Sequence, residues 1–181
     1  MNAPPDGELI GRCRNGDVEA FGELVRRYQQ AVFNVCFRML EELREAEDLT
    51  QESFLRAYRK LETFDMERPF GPWIRRLAAN LCLNHLEKGR IPQMPLDEER
   101  DQSIESVVPD PERHHIREES QKRVRAAIME LPPKYRAVIE LRHFQTMDYA
   151  EIAKTLSIPI SDVKSHLHRA RRRLAERLGN D

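Results

Sequence analysis

From Tyr149 to Leu178 the chain reads YAEIAKTLSIPISDVKSHLHRARRRLAERL, two runs of helical period separated by a break. Tyr149, Ile152, Ala153 and Leu156 recur at the i, i+3, i+4, i+7 spacing of one stripe. Ile160, Val163, Leu167, Ala170, Leu174 and Leu178 form a second stripe beyond Ser157-Ile158-Pro159. Helices this short are marginal alone in water, so the two stripes must cover each other or a shared core. Asp148 with Glu151 three residues on makes a capping box at the first start, and the fixed φ of Pro159 suits the second. Opposite the second stripe lie Ser161, Lys164, Ser165, His168, Arg169, Arg171 and Arg172. Short polar side chains early in a helix and arginines behind them suit base edges and phosphates respectively, which gives a helix-turn-helix that enters a DNA groove.

Charge is placed to match. The whole chain carries a formal net charge of -1, but residues 1–88 hold 13 basic and 15 acidic side chains, 89–121 hold 4 and 9, and 122–181 hold 13 and 7. The basic end is the natural nucleic-acid contact. At 181 residues and 40% hydrophobic, the chain exceeds what one DNA-binding module needs, so two domains are expected.

Upstream, residues 1–18 read as a short polar arm. Ala20, Phe21, Leu24, Tyr28, Ala31, Val32, Val35, Cys36, Met39 and Leu40 then describe a long helix with one buried face, N-capped by Asp17. A second helix runs from about Leu43 to Leu61, with Ala46, Leu49, Ser53, Phe54, Ala57, Tyr58 and Leu61 inward. Its outer face carries Glu45, Asp48, Gln51, Glu52, Arg56 and Arg59. A third begins near Pro72 and turns Phe70, Trp73, Ile74, Leu77, Ala78 and Leu81 to the core. Arg76, Asn80, Asn84 and Lys88 share its opposite side at steps of four. Periodicity lapses from Gly89 to about Glu112, where Pro92, Pro95, Pro109, Pro111 and a run of carboxylates mark a linker, and it resumes near Ile116. Pro132-Pro133 makes a corner before Tyr135, Val138 and Ile139. No segment has the two-residue period of a strand. The expected fold is all-α: an arm (1–18), a first helical domain (19–88), an acidic linker (89–121) and a second domain with the helix-turn-helix (122–181).

Chemistry-bearing motifs are missing. The seven glycines supply neither GxGxxG nor GxxxxGK[ST], and there is no HExxH, so an enzyme is not expected. Cys13, Cys36 and Cys82 have no CxxC spacing, which argues against a zinc knuckle or a disulfide framework and for a reducing compartment; Cys36 and Cys82 read as buried thiols. His114-His115 and His166-x-His168 lack further ligands at metal spacing, so neither metal nor cofactor is expected. No run approaches the apolar length that spans a bilayer, and MNAPPDGE lacks a signal peptide's regions, so the expectation is a cytoplasmic protein without membrane insertion.

Two blocks then match one family. AFGELVRRYQQAVFNVCFRML, EAEDLTQESFLRAYRKLETFD and FGPWIRRLAANLCLNHLEK follow one another as in the promoter-melting domain of the bacterial RNA polymerase sigma factors, of the extracytoplasmic-function (ECF) group. LPPKYRAVIELRHFQTMDYAEIAKTLSIPISDVKSHLHRARRRL resembles the domain of that family that binds the promoter -35 element. The resemblance implies a non-catalytic specificity subunit that binds core polymerase and opens promoter DNA. It implies that Asp48, Gln51, Glu52 and Arg56 meet the polymerase, mainly the β′ clamp helices and also β, while Leu49 and Phe54 pack the domain. It implies that the loop from Phe64 through Arg68 to Phe70, with Arg76, Asn80 and Asn84, reads the -10 element as a single strand. Amides can hydrogen-bond an unstacked base while arginines follow its backbone. Trp73, on the apolar stripe, reads as core. An anti-sigma factor is a further partner that the family implies, and the acidic linker either threads polymerase's basic channels, as the family suggests, or is a solubilising tether. Ser157 stands where family members often have Gly, His166 where they often have Arg, and nothing is expected to follow Asp181. The alternative is a free-standing helix-turn-helix regulator, and a third reading makes the N-terminal helices an adaptor. The regulator class dimerises on two half-sites, and no dimer helix is visible in the sequence.

Overall fold

The computed structural model describes residues 3–88 and 111–179, and these are helical throughout, joined by turns. The helices are α1 (Asp6–Arg14), α2 (Val18–Leu40), α3 (Leu43–Lys60), α4 (Phe70–Lys88), α5 (Pro111–Met129), α6 (Pro133–Ile139), α7 (Tyr149–Leu156) and α8 (Ile160–Leu178). A 3-10 turn, Leu61–Thr63, follows α3, and one turn of π-helix, Glu140–Phe144, follows α6. The acidic segment 89–110 lies outside the described residues.

In the N-terminal half, α2 is the axis on which α1, α3 and α4 pack. Asp17 caps it as its spacing suggested, its carboxylate accepting from the Ala20 N–H at 3.1 Å. The helix ends at Glu41, in the left-handed region at φ 60°, and Glu42 caps α3 by accepting from the N–H groups of Arg44 and Glu45. Leu24, Val32, Val35, Cys36, Met39, Ala46, Ala57, Ile74, Ala78 and Cys82 are completely buried between these helices. Each large apolar side chain withdrawn from water contributes roughly 1.5–3 kcal/mol. The Cys36 and Cys82 side chains meet at the α2–α4 seam, and the hydrogen bond with Cys36 together with burial pushes the Cys82 thiol up.

Two boundaries differ from expectation. Residues 6–14 are not a polar arm but a helix that buries Leu9, Ile10 and Cys13. It is tied down by its acidic end, where Asp6 receives Arg27 and the Tyr28 hydroxyl, and by Arg14, whose guanidinium caps the carbonyls of Leu61 and Phe64. Three apolar positions among charges are too few to stand out as a period, so α1 exists by tertiary contact. The second difference is α5, which starts at Pro111 and so takes up the end of the expected linker; proline at a first helical position has no N–H to waste.

In the C-terminal half, Val138, Leu141, Ile152, Val163, Leu167 and Ala170 form the core shared by α6, α7 and α8. The halves also pack on each other, α4 against α6 and α2 against α5 and the π turn. Buried Arg136 bridges them: it donates to the Met39 carbonyl at the C-terminal end of α2 and to those of Met129 and Leu131 at the end of α5. A guanidinium among helix C-terminal carbonyls satisfies groups that have no acceptor role inside their own helices and neutralises the negative ends of two dipoles.

Candidate nucleic-acid and polymerase interfaces

The helix-turn-helix is built as its sequence dictates. Asp148 Oδ1 accepts from the Glu151 N–H at 2.8 Å and Glu151 Oε2 accepts from the Asp148 N–H at 3.0 Å, a complete capping box. α7 stops at Ser157, which adopts φ 54°, ψ 41°, the left-handed conformation that glycine adopts without strain. Pro159 is the N-cap of α8, and Val163, Leu167 and Ala170 turn inward. That leaves Ser161, Lys164, His168, Arg169, Arg171 and Arg172 exposed on the outer face, with Ser165 half-buried beside them.

The basic face is not uniform. Lys164 stands in a shallow concavity lined by Arg142, Asp148, Tyr149, Ala150 and Ile160. Arg142 donates to the Met147 carbonyl at 2.7 Å, and its guanidinium lies 5.4 Å from the centre of the Tyr149 ring. Arg169 leans the other way, toward the Tyr135 hydroxyl at 3.5 Å, a hydrogen bond that raises its pKa, and Arg173 lies over the same ring. Arg172 reaches Glu176 at 3.5 Å, exposed and one turn on. His166 is half-buried beside Tyr135, with its Nδ1 lacking a hydrogen-bond partner among the described residues; desolvation first, then Lys134 and Arg169, keep it below its ordinary pKa against the pull of Asp162. Ile160, expected on the apolar stripe, is 45% exposed and lines the same concavity as Tyr149 and Ala150 of α7. Arg142 and Ile160 were thus missed as parts of this surface; their position either side of the capping box was the available signal.

The expected -10 surface divides in two. Phe64 and Phe70 are 6% and 1% exposed and pack with Trp73, their ring centres 4.7 to 5.8 Å apart. They cannot offer faces to a base, and the expectation that they do is corrected: they are the hydrophobic floor that anchors the loop. The exposed parts are Asp65, Met66, Glu67, Arg68 and Pro69. Asp65 holds the turn by accepting from the Glu67 N–H at 3.1 Å and from Arg68 Nε at 3.0 Å. On α4, Asn84 is exposed and Asn80 half-buried, while Arg76 donates to the Pro72 carbonyl at 3.2 Å and approaches Glu151 of α7 at 3.4 Å.

On α3, Asp48, Gln51 and Arg56 are exposed and Glu52 half-exposed; Glu52 pairs with Arg56 at 2.6 Å, which holds its carboxyl below the ordinary value. Phe54 is buried and Leu49 half-buried, as packing residues. The face has an apolar member that charge-centred reading passed over: Leu55 is 54% exposed, one helical step from both Gln51 and Glu52, and Tyr58 is 43% exposed on the same helix. No group of histidine, cysteine and carboxylate side chains that could hold a metal occurs among the described residues.

Comparison with known proteins shows the family to which the chain belongs. Residues 24–91 match the family model described as Sigma-70 region 2, and residues 121–174 match that of Sigma-70, region 4. The ECF RNA polymerase sigma factor SigW of Bacillus subtilis is 34% identical over 177 residues, 93% of this chain and 94% of the relative. The chain belongs to the ECF sigma factors. RNA polymerase sigma-H factor of Pseudomonas aeruginosa is 33% identical over 92% of this chain and 90% of its own length. Among solved structures, CnrH in complex with the cytosolic domain of CnrY shares the fold, with a TM-score of 0.64 at 24% identity over 97% of this chain and 98% of that one. The sigma factor RpoE of Bartonella quintana, in complex with the anti-sigma factor NepR, shares it at a TM-score of 0.60 and 19% identity, over 89% of this chain and 98% of that one. Sigma factors are non-enzymatic transcription initiation factors. The free-standing regulator reading gives way, because region 2 accounts for the N-terminal half. No helix among the described residues is long and apolar enough to cross a membrane.

Proposed function

We propose that this sigma factor docks on core RNA polymerase through the α3 face and contacts promoter DNA at two places. On α3, Asp48, Gln51, Glu52 and Arg56 surround Leu55, giving a polar rim about an apolar centre, the composition of a protein interface. On α8, Lys164, Ser165 and His168 read the -35 duplex with Ser161 at the groove edge, and Arg169, Arg171 and Arg172 hold phosphates. On α4 and the loop before it, Arg68, Arg76, Asn80 and Asn84 hold the -10 element as an unpaired strand. Capturing a base after it leaves the stack offsets an unstacking cost of a few kcal/mol. An anti-sigma partner is part of the reading, supported by the fold relative RpoE, a sigma factor solved in complex with the anti-sigma factor NepR.

The observation that carries the proposal is the α8 surface: a capped, two-helix unit with Val163, Leu167 and Ala170 buried on one face and the other lined with lysine, histidine and arginine. The test is reconstitution. Purified chain mixed with core polymerase is expected to co-elute and to direct initiation at a matched promoter. Reversing Asp48 together with Gln51→Ala is expected to weaken core binding at unchanged helicity; wild-type affinity for core in that double variant would refute the α3 assignment.

A further inference from the structure

The loop that carries Arg68 runs from the 3-10 turn to the start of α4, and α1 holds it at both stems. On the entering side, the Arg14 guanidinium donates from Nε to the Leu61 carbonyl at 3.1 Å and from Nη2 to the Phe64 carbonyl at 2.5 Å. Carbonyls at a helix end have no donor within their own helix, and two of them three residues apart suit the planar fork of arginine, which lysine lacks. The contact is wholly tertiary, since Arg14 lies 47 and 50 residues before its acceptors. On the leaving side, Asp6 accepts from the Tyr28 hydroxyl at 2.5 Å, and the Tyr28 ring lies 5.4 Å from that of Phe70 and against Gly71, the first two residues of α4. Between the stems, a Cβ on Gly7 would stand 3.8 Å from Met66 Cε, so the exposed methionine of the loop reaches the first turn of α1.

A single helix of 9 residues therefore meets the entry, the middle and the exit of this loop. Inside the loop the bonds are short-range: the Arg68 N–H donates to the Asp65 carbonyl at 3.0 Å, and the Asp65 carboxylate accepts from the Glu67 N–H and Arg68 Nε. Such a turn sets its own shape but not its direction relative to Asn80 and Asn84 on α4. Direction matters, because a binding constellation displaced by about 1 Å loses its geometry. We infer that α1 is the mount of the -10 loop and that Arg14 is a positioning residue for strand opening, acting through the Leu61 and Phe64 carbonyls rather than on DNA. The inference rests on the -10 assignment proposed above.

The experiment compares full-length Arg14→Ala, Arg14→Lys and Arg68→Ala chains with wild type. Amide exchange in the free chain reads loop order. Titration with core polymerase reads docking, and permanganate reactivity of unpaired thymines in the holoenzyme reads opening of a duplex promoter. Arg14→Ala is expected to speed exchange at the Phe64 and Arg68 amides, whose acceptors are the Leu61 and Asp65 carbonyls, while the middle of α4 keeps its protection. If the unmounted loop holds its reading direction about a tenth of the time, base capture should weaken about tenfold and opening should slow by the same factor, at unchanged affinity for core. Arg14→Lys should slow opening too: a lysine would replace a phosphate contact but not a fork across two carbonyls. A wild-type opening rate in Arg14→Lys, or unchanged exchange in Arg14→Ala, would overturn the inference. So would normal opening in Arg14→Ala while Arg68→Ala slows it. Normal opening in both alanine variants would sink the -10 assignment, and the positioning role with it. Core affinity falling in step with opening would reduce Arg14 to a residue of general stability.

Discussion

Gly71, the second residue of α4, is where space rather than conformation forbids a side chain. A Cβ there would stand 2.7 Å from Tyr28 Cε1, 3.3 Å from its Cζ and 3.4 Å from its hydroxyl oxygen. Tyr28 cannot swing aside freely. Its ring packs 5.4 Å from that of Phe70, and its hydroxyl donates to Asp6 Oδ2 at 2.5 Å. Burial and that carboxylate push the phenol up to about 12. Overpacking of this kind costs about 1–3 kcal/mol, and replacing glycine by alanine returns about 0.4–1 kcal/mol through the unfolded chain, so Gly71→Ala should lose about 1–2 kcal/mol in urea unfolding. The loss should be local as well as global, with faster amide exchange in α1, because a displaced Tyr28 lets go of Asp6. Tyr28→Leu removes the obstacle, so the double variant should be more stable than the sum of the singles predicts, by an amount well outside the scatter of about 0.5 kcal/mol expected for independent sites. A stabilised Gly71→Ala, or strict additivity, would refute the claim that Tyr28 is held.

Ser157→Gly should stabilise the helix-turn-helix by about 0.5–1 kcal/mol, the left-handed penalty less the entropy that glycine adds to the unfolded chain, and thermal unfolding would show it. His166 gives a pH prediction whose sign follows from its lowered pKa. The unfolded chain takes up the proton first as pH falls through the ordinary value of 6.5, so stability is full above 6.5 and declines below it; His143 is lowered by burial too, and His166→Gln should flatten only part of the slope.

Much of the architecture was legible because it is written as period and caps. The stripes of α2, α3 and α8, the Asp17 cap and the Asp148–Glu151 box are local signals, and local signals survive in a sequence. α1 was not legible, because its three buried side chains gain meaning only from the groove that receives them. Phe64 was not read as core for a related reason, whereas the helical period had already turned Phe70 inward. A loop rich in proline and charge suggests exposure, but aromatic side chains inside such a loop often turn inward, and here Trp73 supplies the ring they meet. Leu55 escaped notice because a single apolar residue on a polar face looks accidental until its exposure is measured.

The segment from Glu140 to Met147 defied sequence reading altogether, and its irregularity has a cause. After α6 the backbone widens into a π turn, and Thr146, a β-branched residue, is driven to φ 53° before α7 begins. A π turn rarely persists without an external reason, and a β-branched residue in the left-handed region is strained. The reason lies in the other half of the molecule. The wide turn carries Glu140 inward to Arg38 and sets Phe144 under the same guanidinium, and just beyond it Gln145 sits between Glu140 and Arg75. Strain of this kind is sustained only by the contacts that impose it. A chain that has lost the Arg38–Glu140 contact should therefore relax here first, so amides from Gln145 to Met147 should lose exchange protection in Arg38→Ala ahead of those in α8, whose Val163, Leu167 and Ala170 are buried. Uniform loss across α6, α7 and α8 would mean instead that the C-terminal half depends on the N-terminal half to fold.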